Sequence, residues 1–160
     1  MSNAKRANAK LIAANRDMAN LDGAMLAHAD LTLANLTDAT LQDADISNAK
    51  LTGANLSYAN LTGVDLSGKD LTKTNLKGTD LSGKDLTGTK LTGSNLKSAN
   101  LDHADLRKVD LSNAKLANAK LISANLDMAN LDGAMLAHAD LTLANLTDAT
   151  LQDADLSNAK

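Results

Sequence analysis

Four aspartates, Asp45, Asp65, Asp85 and Asp105, stand 20 residues apart. Carboxylates brought into one file repel each other, so such a file is either solvated and screened or serves as an acidic surface for a partner. Two lysines, Lys69 and Lys84, occupy positions that elsewhere hold Ala, Val, Thr or Ser. An amine there either lays its stem along a wall and carries its charge out at a corner, or sits buried as a functional amine. No His or carboxylate stands at an equivalent position to partner it. The histidines, His28, His103 and His138, lie far apart and form no metal cluster. No nucleophile, base and acid converge, and the absence of Cys removes thiol chemistry and Cys-rich zinc sites. The chain is expected to be no enzyme and to carry no cofactor.

The 20-residue interval is a multiple of a shorter one. With positions written i−2, i−1, i, i+1 and i+2, the chain is 32 pentads without an insertion. From Leu21 to Leu156, position i is Leu every time except at Ile46. A helix would rotate its leucines by about 500° per pentad, and a plain strand would alternate them between faces. Five residues can instead make one short extended side and one corner. Positions i−2 and i then face inward, i−1 faces out, and i+1 and i+2 turn. All nine glycines fall at i+2, where a type II turn needs positive φ. Asp43, Asn48 and Asn113 tolerate the same region. Met18, Leu33, Tyr58 and Leu143 do not suit it, and another turn type is expected at their corners.

The unit A-[N/D]-L-x-x, as in Ala54-Asn55-Leu56-Ser57-Tyr58 and Ala104-Asp105-Leu106-Arg107-Lys108, resembles the pentapeptide repeat across essentially the whole chain. The resemblance implies an all-β fold, a right-handed quadrilateral β-helix in which four pentads make one 20-residue coil. Residues 1–160 would form a single solenoid of about eight coils, roughly 35–40 Å long. Residues 20 apart then stack. Asn15, Asn35, Asn55, Asn75 and Asn95 become an amide ladder, and Lys10, Asp30, Lys50, Asp70, Lys90 and Asp110 a stripe of alternating sign. Thr32, Thr52, Thr72 and Thr92 form a file of hydroxyls like those of flat ice-binding surfaces. Some family members resemble duplex DNA and bind type II topoisomerases, so the Asp file makes DNA gyrase the alternative partner. Family members also dimerise through the C-terminal end. Leu141, Leu146, Leu151 and Leu156 are expected to expose an apolar cross-section and to meet a second copy end to end. At the other end Met1, Arg6 and Arg16 occupy i, so residues 1–20 read as a capping coil with its charges in solvent.

Composition bounds the rest. There is no Phe, Trp or Pro, and Tyr58 is the one aromatic residue, so the core is built from Leu and Ala. The formal charge of −3 argues against nucleic acid or acidic membranes as partners. The start, Met1-Ser2-Asn3-Ala4-Lys5-Arg6, lacks a signal-peptide apolar run, and no window is apolar enough to span a membrane. A cytoplasmic location is expected. Residues 1–50 match 111–160 except at Met1/Leu111, Arg6/Leu116, Ala13/Ser123, Arg16/Leu126 and Ile46/Leu156. So clean a duplication points to an engineered or consensus-like origin. The expected function is that of a structural scaffold, with a DNA-mimicking, gyrase-binding protein as the alternative.

Overall fold

The computed structural model describes residues 8–160, none of them helical. Parallel bridges join i−1 residues 20 positions apart, among them Asn15 to Asn35, Asn35 to Asn55, Asn75 to Asn95 and Lys115 to Met135. One turn of the chain therefore takes four pentads, as the β-helix expectation requires. Among the described residues no helix is long and apolar enough to cross a membrane.

Residues 34–38 show where the backbone N–H groups of a pentad go. Ala34 closes its corner on the Leu31 carbonyl at 3.0 Å. Asn35 reaches back one coil to Ala14 at 2.9 Å, while Leu36 and Asp38 reach forward to Asn55 and Ser57 at 2.7 and 3.0 Å. The fifth, from Thr37, is accepted by Asn35 Oδ1 at 3.2 Å. Where i−1 is Thr40, Lys120 or Thr150, the N–H of i+1 goes instead to Asp22, Asp102 or Asp132 one coil back, each at 2.9 Å. In residues 34–38 every backbone N–H therefore has a partner.

Every i+2 residue from Asn8 to Asn158 has positive φ, between 51° and 71°. Met18, Leu33, Tyr58 and Leu143 are included, at 51°, 58°, 59° and 60°. Those corners therefore do not use another turn type. The i+2 N–H must point at the next coil from the same place in each turn, so one backbone shape is imposed at every corner. The left-handed strain of a side-chain-bearing residue, about 1–2 kcal/mol, is offset by the ladder bonds that the shape permits.

Inside, the residues at i from Leu26 to Leu136 are at most 4% exposed. The i−2 residues pack between them, mostly Ala, with buried Thr74, Thr79 and Thr89 donating their hydroxyls to the carbonyls of Leu51, Leu76 and Leu66. Buried Ser94, at the same kind of position, finds no partner for its hydroxyl. In the proposed capping coil, Met1 and Arg6 lie outside the described residues. Arg16 is half-buried: Nη1 lies 3.5 Å from the Asn15 carbonyl oxygen, and Nε is buried without a partner.

Corners also stack. The Tyr58 ring lies over the next coil, where a Cβ on Gly78 would stand 2.2 Å from Tyr58 Cε1. Gly68 has the same φ sign and nothing within 4 Å of its would-be Cβ. Gly68→Ala should therefore carry only the backbone strain of about 1–2 kcal/mol, and Gly78→Ala clearly more. Adding Tyr58→Ala to Gly78→Ala should remove the excess. Chemical denaturation of these variants checks this, and equal costs for the two glycines would contradict it.

Candidate functional site

Asp45, Asp65, Asp85 and Asp105 are i−1 residues on one side of the stack, and each carboxylate serves its own corner. Oδ1 accepts the N–H of Ser47, Ser67 and Thr87 at 2.9 Å and of Arg107 at 3.2 Å. This is the bond Asn35 makes to Thr37, so Asp and Asn are interchangeable corner acceptors. Reading the outward face alone overlooks this role. The signal was the recurrence of Asn or Asp two residues before the corner, the spacing of an Asx-turn. Hydrogen bonds from Ser47, Ser67 and Arg107 hold the carboxyls of Asp45, Asp65 and Asp105 below the usual range. The file is not purely acidic. Arg107 grips Asp105 through Nε at 2.8 Å and Nη2 at 2.6 Å, and the charges of Lys69 and Lys84 act on Asp65.

Below Asp105 the same column continues as Asn125 and Asn145, with Asn145 Nδ2 donating to Asn125 Oδ1 at 3.1 Å. These are the copies of Asn15 and Asn35. The copy lies 110 residues on, five and a half turns, so it shows its ladder on the opposite side. There the first ladder runs as expected, each Nδ2 donating to the Oδ1 one coil back: Asn35 to Asn15 at 3.2 Å, Asn55 to Asn35 at 3.4 Å, Asn75 to Asn55 at 2.8 Å and Asn95 to Asn75 at 2.9 Å.

Lys69 and Lys84 are half-buried and coincide with a break in the backbone ladder. The bridges Asp45 to Asp65, Lys50 to Asp70, Asn60 to Asp80 and Asp65 to Asp85 are missing from an otherwise regular series. With them go the forward bonds from Ile46, Asn48, Leu51, Leu61, Gly63 and Leu66. A lysine stem does not fit the space that an Ala fills, and leaves by way of the gap between coils. Lys84 Nζ donates to the Val64 carbonyl at 3.0 Å, the acceptor that the repeat assigns to the N–H of Asp85. Its ammonium is thus turned into the breach rather than simply carried out at a corner. Burial there pushes its pKa down. A cleft of about 260 Å³ opens beside the break, lined by Asp43, Asp45, Gly63, Asp65 and Lys69 among others.

The remaining candidates are quieter. Within the alternating stripe Lys50 pairs with Asp30 at 3.7 Å, a surface contact worth little on its own. In the hydroxyl file Thr32 and Thr92 donate to Asp30 and Asp110. His28, His103 and His138 are corner residues. No group of three or more metal-ligating side chains gathers among the described residues.

The family description "Pentapeptide repeats" matches in eight copies, covering residues 18–53, 29–68, 54–93, 70–107, 94–131 and 124–160. The chain belongs to the pentapeptide-repeat family. Similar solved pentapeptide-repeat proteins include HetL of the cyanobacterium Nostoc, which is involved in heterocyst differentiation regulation. It is 34% identical over 91% of this chain and 71% of its own, with a TM-score of 0.53. A protein of the Arabidopsis thaliana thylakoid lumen is 30% identical over 60% of this chain and 63% of its own, at 0.52. QnrB1, a plasmid-mediated fluoroquinolone resistance protein, is 21% identical over 88% of this chain and 78% of its own, at 0.49. No match was found among curated proteins.

Two outcomes follow for this pentapeptide-repeat chain. Replacing Lys69 and Lys84 together by Thr should close the ladder and raise stability by about 1–3 kcal/mol, since each restored bond is worth roughly 0.5–1.5 kcal/mol. Before that change the amides of Ile46, Asn48, Leu61 and Gly63 should exchange hydrogen faster than those of Leu86 and Leu91. Uniform protection, or a less stable double variant, would contradict the break. Second, a carboxyl held below its unfolded value, about 3.9, stabilises the fold above that value and ceases to as pH falls through the folded one. Asp45→Asn with Asp65→Asn keeps the corner acceptor and abolishes the titration. The acid-unfolding midpoint should move to lower pH, and an unmoved midpoint would argue against these carboxylates.

Proposed function

We propose that this pentapeptide-repeat chain is a non-catalytic structural rod that presents flat faces and stacks end to end with a second copy. The single observation that carries the reading is the filled interior, in which the residues at i from Leu26 to Leu136 are at most 4% exposed. Chemistry or recognition is thereby left to the faces and edges. We infer that the 20-residue turns are right-handed and number eight, and that the near-perfect match of residues 1–50 to 111–160 records an engineered or consensus-like origin. HetL, involved in regulating heterocyst differentiation, is compatible with a rod that acts by contact.

The stacking partner is suggested by the leucines of the last described turn. Leu141, Leu146 and Leu151 are half-buried and Leu156 is 41% exposed, against 0% for Leu121, Leu126, Leu131 and Leu136. A second coil laid on them would bury that surface at about 25 cal/mol per Å² and take up the forward-pointing backbone groups. The alternative, a DNA-like rod that binds gyrase, has weaker support, because Lys69, Lys84 and Arg107 stand among the aspartates.

Sedimentation equilibrium at micromolar concentration tests the stacking. The rod reading expects a dimer or longer stack that reverts to monomer on Leu151→Glu with Leu156→Glu. A monomer throughout would remove it. In a supercoiling assay the same protein should leave DNA gyrase unaffected, whereas inhibition would favour the DNA-like reading.

A further inference from the structure

The charges are unevenly shared among the sides. On the side that carries the Asn ladder, with the corners that flank it, residues 52–58, 72–78, 92–98 and 112–118 contain Lys73, Lys77, Lys97 and Lys115 and no carboxylate. All four lysines are exposed, and among the described residues none is in an ion pair; the ion pairs found are Lys50 with Asp30 and Arg107 with Asp105. The first of these turns shows Tyr58, and earlier turns of the same side show Met18 and Leu33 beside Asp17 and Asp38; Met18, Leu33 and Tyr58 are 74%, 63% and 51% exposed. Tyr58 joins the two regions, since Lys77 Nζ lies 5.6 Å from the centre of its ring. The opposite side carries Asp45, Asp65, Asp85 and Asp105.

We propose that this basic side docks on a planar anionic lipid surface. Three features fit that partner together. Lys115 stands on the hydrogen-bonded side and Lys73, Lys77 and Lys97 on the corners that flank it, with a rise of about 4.8 Å per turn, so their ammonium groups reach one plane without the backbone bending. Exposed Tyr58 beside Lys77, with Met18 and Leu33 in the earlier turns, suits the interface between headgroups and acyl chains, where Tyr is favoured. Residues 52–58, 72–78, 92–98 and 112–118 hold no carboxylate to repel the surface, and the carboxylates of this side, Asp17 and Asp38 among them, stand in other turns. The net charge of −3 misleads here, because at physiological salt a field decays over about 8 Å and the aspartates opposite are screened across the width of the stack. Nucleic acid suits the side less well, since Met18 and Leu33 have no counterpart on a phosphate backbone.

The test is co-sedimentation of the full chain with phosphatidylcholine vesicles that do or do not contain phosphatidylserine, at low and high salt. The expected result is pelleting with phosphatidylserine vesicles only, lost at high salt. Each of Lys73→Ala, Lys77→Ala, Lys97→Ala and Lys115→Ala should weaken partitioning by roughly fivefold. Asp85→Asn on the opposite side should leave it unchanged, and circular dichroism confirms that each variant is folded. Equal pelleting with phosphatidylcholine alone, no pelleting with phosphatidylserine, an unaltered fourfold lysine variant, or retention on duplex DNA without vesicle binding would each overturn the proposal.

Discussion

Everything in this structure depends on one backbone condition: the third residue of every corner must be left-handed. A leucine every fifth residue defeats both helix and plain strand. It becomes useful only when the two residues after it reverse the chain by a quarter turn. The positive φ values from Asn8 to Asn158 perform that turn, and the i−2 N–H closes it on the leucine carbonyl. Once the corner is set, the remaining N–H groups point along the axis, and a partner exists only if another coil lies there. Corner, ladder and leucine column are therefore one cooperative unit, and stability is close to a sum over neighbouring coils.

The same condition explains why polar residues recur so strictly. At i−1, Asn and Asp satisfy the one N–H that neither the corner nor the ladder can take. Asn does more, because its amide also donates to the coil before it, whereas a carboxylate cannot. The Asp file is thus a ladder of corner acceptors lacking cross-coil bonds. It lies where Lys69 and Lys84 have already parted the coils. The interior tolerates Ala, Val, Thr and Ser at i−2 because each is short enough or can bond a carbonyl. Lysine is too long, and where it stands the ladder is open, with the Lys84 ammonium on the Val64 carbonyl. What the sides of the molecule offer to partners is consequently decided by outward residues, face by face.

Much of this was legible in the residues. The pentad, the inward Leu and Ala and the Asn ladder followed from spacing and side-chain size, because they obey a local rule repeated many times. Met18, Leu33, Tyr58 and Leu143 misled, because intrinsic preference speaks against left-handed backbone while the ladder imposes it from outside the pentad. The break at Lys69 and Lys84 was half legible: the residues were visible as misfits, but the loss of bonds from Ile46 to Leu66 depends on how neighbouring coils yield. The uneven charge of the sides was hidden in the near-neutral total. It required knowing which residues share a column.

The central claim, that each 20 residues add one coil along a straight axis, is open to a direct distance measurement. The chain has no Cys, so Asp17→Cys and Ser157→Cys can carry spin labels cleanly; both sites are exposed and lie in one column, 140 residues apart. At about 4.8 Å per coil, pulsed electron–electron resonance should find a single narrow distribution near 34 Å. A broad distribution, or a distance that does not fall by one coil spacing when the first label is moved to Thr37, would contradict the account.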